Sequence, residues 1–269
     1  MTNQQSHIFS IGDNKLHYLK FGSGNKLLFA FHGFGDTAWQ FKVLEHSFGK
    51  SYTVISIDLP FHGLSEWHEG EILKPKDLLG FIDHINDAFQ VTRFSMAGFS
   101  LGGKLVLGLY QLAPHRIDQL WLFAPDGLKK NIWYNLAVNT SPGQWLFRYF
   151  LHHPEHFFRF IRILVSIKLI RKEYVQFLSQ QLDSIEKRML VINIWTCMRE
   201  FATRPKQLKG LVRTHNTPVY LFAGRYDTII RPSFGRSFTG NLPSAELIIL
   251  DKGHYLLKDY LNPYIAARL

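Results

Sequence analysis

Gly98-Phe99-Ser100-Leu101-Gly102 is the segment with the most direct chemical meaning. A serine with glycine two places away on each side fits a tight strand-to-helix turn that pushes the hydroxyl out at the top of a sheet. The flanks agree: an apolar run, Phe94 to Ala97, precedes it, and a helical stretch, Leu101 to Ala113, follows with Gly103 for close packing. A serine hydroxyl is a poor nucleophile until a base takes its proton. That base is a histidine reachable from the same sheet edge and held by a carboxylate. His254, in Lys252-Gly253-His254-Tyr255, follows the last strand-like run, and Asp227, in Gly224-Arg225-Tyr226-Asp227, follows the one before it. Both stand at carboxyl ends of strands, where open parallel sheets place their sites. Asp126 also follows a strand-like run and competes as the acid; the loop around Asp227 suits the role better. Acyl transfer needs donors for a developing oxyanion. The turn His32-Gly33-Phe34-Gly35 can aim a backbone N–H at the pocket, so Phe34 N–H and Leu101 N–H are the candidates.

Strands alternating with helices must hold these groups. Lys26 to Phe31, Tyr52 to Ile57, Phe94 to Ala97, Ile117 to Ala124, Pro218 to Ala223 and Ala245 to Leu250 are apolar runs of the kind that suit strands buried on both faces. Between them Thr37 to Phe48, Pro75 to Phe89 and Leu101 to Ala113 read as helices, and Ser233 to Thr239 as a short one. Such alternation implies parallel strands joined by right-handed crossovers. From Asp126 to His215 no buried strand is evident. That stretch is helical in pattern, holds 13 aromatic residues, and carries 15 Lys+Arg against 6 Asp+Glu. Nearly all of the chain's net charge of +10 therefore lies in one insertion.

With 269 residues and 46% hydrophobic content, the chain can bury a large core and is not disordered. Its single cysteine, Cys197, closes no intramolecular disulfide and reads as a small core residue. No signal-peptide pattern and no long apolar run are evident, so a soluble, cytoplasmic protein is expected. The run His152-His153-Pro154-Glu155-His156 lacks the HExxH spacing that sets two ligands on one helix face, so no metal is expected.

Taken together, His32-Gly33-Phe34-Gly35, Asp58-Leu59-Pro60-Phe61-His62-Gly63-Leu64-Ser65, Gly98 to Gly103, Gly224 to Asp227 and Gly253-His254 make the chain similar to the α/β-hydrolase superfamily, in its lidded serine branch. The order Ser, Asp, His is that of this fold. The resemblance covers residues 1–125 and 216–269 as a hydrolase core. It implies an α/β fold, an eight-stranded mostly parallel sheet flanked by helices, with a helical cap, 126–215, inserted after the sixth strand. Phe61 stands where the family usually has glycine, which bears on the local turn. Asp58 and His62 lie in a turn the family uses structurally.

The expected function is a serine hydrolase that cleaves a carboxylic ester or thioester through an acyl-enzyme. Ser100 is the nucleophile, His254 the base and Asp227 the orienting acid, with no cofactor. The resemblance leaves two alternatives: a C–C bond hydrolase or pyruvate-eliminating synthase of menaquinone-pathway type with the same triad, with Lys104 and the arginine-rich cap serving an anionic substrate; or a non-catalytic ligand-binding protein. The expected partner is a small-molecule ester or acyl substrate. The basic amphipathic stretch Glu155 to Lys172 is a solvated helix face, a dock for an acidic carrier protein, or a contact with an anionic membrane surface. No recognition motif accompanies the charge, so nucleic acid is not expected.

Overall fold

A computed structural model describes residues 5–129, 132–167, 182 and 184–269. Among them, eight strands form one sheet in the order β1-β2-β4-β3-β5-β6-β7-β8. The strands are β1 (Gln5–Ile11), β2 (Asn14–Phe21), β3 (Lys26–Phe31), β4 (Tyr52–Ile57), β5 (Phe94–Phe99), β6 (Ile117–Phe123), β7 (Val219–Gly224) and β8 (Ala245–Leu250). Pairings from β4 through β8 are parallel, whereas β1–β2 and β2–β4 are antiparallel. The six apolar runs are the strands from β3 onward. β1 and β2 had left no comparable run, because β1 is an edge strand that alternates exposed and half-buried positions.

The central strands are apolar throughout because both faces are covered. Leu28 and Ala30 of β3 join Phe41, Phe48, Trp121, Phe123 and Phe222 in one core cluster. Phe29, pointing the other way, meets Phe81 of α2 (Pro75–Phe89) edge to face at 6.3 Å. On that second side α3 (Leu101–Leu112) packs against β3, β5 and β6. The predicted helix from Thr37 to Phe48 is a 3-10 turn, Ala38–Leu44, running into a short α1, Glu45–Phe48. Its first residue is tied to the sheet: Ala38 N–H donates to Asp58 Oδ1 at 2.5 Å, and Ser56 Oγ donates to Ala38 O at 2.7 Å. These bonds tie the first residue of the turn to the end of β4.

By contacts the chain divides into two compact units. The first comprises Met1–His68, Leu73–Lys130 and Glu200–Leu269; the second comprises Glu69–Ile72 and Asn131–Arg199. The basic span drawn from composition, 126–215, is longer at its end than the second unit. The reason is a helix that binds the sheet's own helices: Arg204 N–H donates to Gln111 Oε1 of α3 at 2.7 Å, and Phe201 packs against Gly108. Within the second unit lie α4 (Ile132–Asn139), α5 (Ser141–His152), α6 (Pro154–Ser166) and α7 (Ile185–Cys197). The first unit adds α8 (Pro205–His215), α9 (Pro232–Thr239) and α10 (Asn262–Ala266). Of the basic stretch Glu155 to Lys172, α6 is described, whereas Lys168, Arg171 and Lys172 lie outside the described residues. Cys197, the chain's one cysteine, is buried. No described helix is long and apolar enough to cross a membrane.

Candidate active site

Ser100 sits between β5 and α3 with φ +49° and ψ −111°. A non-glycine residue held there costs about 1–3 kcal/mol, so its surroundings must impose the turn. Three backbone bonds do so. Ser100 N–H donates to Phe123 O at 3.0 Å, and Ser100 O accepts from Asp126 N–H at 2.9 Å and Gly103 N–H at 3.0 Å. The motif glycines are steric: a Cβ on Gly102 would lie 2.0 Å from Phe31 O, and one on Gly98 would lie 2.6 Å from Gly102 O. Only bare backbone lets the first turn of α3 come this close to the end of β3.

The loop after β8 brings His254 to this serine: His254 Nε2 lies 3.0 Å from Ser100 Oγ. On the other side of the ring, Nδ1 lies 2.7 Å from Asp227 Oδ2, in the loop after β7. The second oxygen, Asp227 Oδ1, accepts from Ile229 and Ile230 N–H, each at 2.8 Å. The Asp227 side chain has no exposed surface. A carboxylate only accepts, so Nδ1 carries the proton that it receives, and the Nε2 lone pair faces the serine hydroxyl. Two amide donors fix the carboxylate, the carboxylate fixes the ring, and the ring is poised to take the Oγ proton.

Asp126, the competing acid, is placed differently. Its Oδ1 accepts from its neighbour Gly127 N–H at 2.7 Å, and among the described residues it makes no bond to His254. Lys104, considered above for an anionic substrate, is buried on α3. Desolvation pulls its ammonium down to about 8, against the opposing pull of Asp126.

The turn after β3 lies against the serine: a Cβ on Gly33 would be 3.6 Å from Ser100 Cβ. Gly33 N–H donates to Gln40 Oε1 at 3.1 Å and Gly35 N–H donates to His62 Nε2 at 3.0 Å. Among the described residues no acceptor takes the Phe34 N–H between them. The Leu101 N–H is likewise unused, as the first amide of α3. Gln40 and His62 thus shape the turn that carries one candidate donor. Sequence reasoning gave neither this task, because it depends on contacts through space.

His32 completes the scaffold. Its Nδ1 donates to Gly33 O at 2.7 Å, and its Nε2 accepts from Leu59 N–H at 2.9 Å. The His62 Nδ1 donates to Pro60 O at 2.9 Å, and the two rings meet edge to face at 4.9 Å. Burial holds both imidazoles neutral, with His32 pushed down to about 3 and His62 lowered below its ordinary value. Phe61 adopts φ +64°, so this chain makes the turn with a bulky residue in the left-handed region.

A second Ser–His–Asp series also exists. Ser6 Oγ lies 2.7 Å from His17 Nε2, and His17 Nδ1 lies 2.7 Å from Asp58 Oδ2. Its serine stands on the regular edge strand β1 rather than on a strained turn, and Asp58 also accepts from Ala38 and Leu64 N–H. The expected structural use of Asp58 fits these bonds, which tie β2, β4 and the 3-10 turn together. Ser100 differs by its strained, half-buried turn and by the unused amides beside it.

Comparison with known proteins agrees with the fold. The profile of the α/β-hydrolase fold family matches residues 26–259. An uncharacterized hydrolase of Bacillus subtilis strain 168, YugF, is 22% identical over 259 residues, covering 91% of this chain and 89% of its own. A thermophilic esterase from Thermogutta terrifontis aligns with a TM-score of 0.64 at 18% identity, over 98% of this chain and 96% of the other. A 2-hydroxy-6-oxo-6-phenylhexa-2,4-dienoate hydrolase from Rhodococcus sp. strain RHA1 aligns with a TM-score of 0.64 at 22% identity, over 100% of both chains.

Proposed function

Because this chain belongs to the α/β-hydrolase fold family, we propose that it is a serine hydrolase acting on a small-molecule carboxylic ester or thioester. The observation that carries the reading is the hydrogen-bonded series from Ser100 Oγ through His254 to buried Asp227. As Oγ attacks the carbonyl carbon, its proton passes to Nε2. The carbonyl oxygen becomes an oxyanion, held by the Phe34 and Leu101 amides. Asp227 stabilises the imidazolium through Nδ1–H without taking the proton. His254 then gives its proton to the departing alcohol or thiol, leaving an acyl group on Oγ. Water, deprotonated by the same nitrogen, attacks that acyl carbon; the proton returns to Oγ and the acid leaves. The chain's own residues move every proton in this cycle.

The C–C cleaving alternative needs the same relay together with a cation for an anionic substrate. Of the cations considered for it, Lys104 and those of the arginine-rich cap, Lys104 is buried along α3, which favours the ester reading. A fluorophosphonate probe and an aryl ester panel test the proposal. Wild-type protein takes one label, mapped by mass to the Ser100 peptide, and hydrolyses the esters; Ser100→Ala does neither. Absent labelling, labelling on Ser6, or undiminished turnover in Ser100→Ala would remove the proposal. Turnover of dienoates but not of esters would move it to the C–C reading.

A further inference from the structure

His153 is not part of a helix: at φ −126° and ψ 69° it closes α5 and opens α6. Helical spacing therefore does not govern where its ring points, and the missing HExxH pattern says nothing about what it meets. Its Nδ1 lies 3.6 Å from Glu155 Oε1, and the same oxygen lies 4.0 Å from His156 Nε2. One ligand atom from each of the three lies within 4.8 Å of the others. Tyr149, one turn earlier on α5, brings its hydroxyl 2.7 Å from His156 Nδ1. With Nδ1–H donating to that oxygen, the Nε2 lone pair is the one presented to Glu155. A ring nitrogen held this way by an outer partner is the usual support of a metal-binding imidazole. The His153 and His156 rings face each other, 5.5 Å apart and tilted by 25°.

We infer that His153, Glu155 and His156 bind a first-row divalent transition metal, with Zn2+ as the probe. Two imidazoles and one carboxylate suit Zn2+, Cu2+ or Ni2+, whereas Ca2+ and Mg2+ take oxygen ligands. Ligand bonds of about 2.0–2.2 Å set tetrahedral donors about 3.4 Å apart. The three side chains are 44–61% exposed, free to close from their present separations by rotation alone. Water fills the remaining coordination. The ion clamps the end of α5 to the first turn of α6 and so fixes the angle between them.

Tag-free full-length protein, stripped with chelator and dialysed, is titrated with Zn2+ by calorimetry. One equivalent binds saturably, and Co2+ in its place gives visible ligand-field bands that Zn2+ bleaches. His156→Ala and Glu155→Gln each weaken binding by at least about 10-fold, and Tyr149→Phe by about 10-fold. His152→Ala, beside the cluster but outside it, binds as wild type does. Circular dichroism checks that each variant stays folded. Failure of wild-type protein to take up the ion, or unchanged affinity after replacing both His153 and His156 with alanine, overturns the site. Unchanged affinity in Tyr149→Phe overturns the supporting role of that hydroxyl.

Discussion

Two aspartates flank the elbow, and the geometry separates them. Only Asp227 reaches the imidazole, at 2.7 Å, while Asp126 caps its neighbour's amide. Asp227→Asn would leave packing intact but favour the wrong ring tautomer, lowering kcat by about 10⁴-fold. Asp126→Asn should stay within a few-fold of wild type, because no proton passes through it. Steady-state kinetics on one aryl ester decide this, and the reverse ranking would reassign the acid. The convergence of these side chains was legible from chain order and strand ends, which singled out Ser100 and His254 and favoured Asp227. The tasks of Gln40 and His62 were not, since an amide's partner seven or 27 positions away leaves no local pattern.

At the scale of elements, the sharpest constraint is the crossing of β3 and α3. A methyl on Gly102 would fall 2.0 Å from a backbone oxygen that has nowhere to go. Gly102→Ala should cost about 1–3 kcal/mol in urea unfolding and displace Ser100 enough to abolish probe labelling. Gly80, exposed on α2 with open space around it, is the matched comparison. Alanine there should add about 0.5–1 kcal/mol. Equal effects at the two sites would refute the steric account. Interior strands announced themselves by continuous apolar runs; β1 did not, because an edge that alternates between water and core looks like ordinary polar sequence. The 3-10 turn at Ala38 was equally hidden, anchored through space by Ser56 of β4 and by Asp58 just past it.

For the molecule as a whole, two neutral histidines beneath the site predict acid sensitivity. The folded state holds His32 near 3 and His62 below its ordinary value, both by burial. Below about pH 6.5 the unfolded chain therefore binds protons that the folded chain refuses. Stability should be full above that pH and fall as the pH drops toward 3. His32 contributes up to about 1.4 kcal/mol per pH unit over that range. Urea titrations at about pH 7.5 and about pH 5 measure the loss; a protein that became more stable on acidification would contradict it. The distance along the chain between Ser100 and His254 has its own outcome. Ser100 and His254 are 154 positions apart and meet across strands made late, β7 and β8 among them. The residues of the elbow are therefore made long before His254. On the proposed reading, a growing chain carries its serine without a base until β8 and the loop after it have been made.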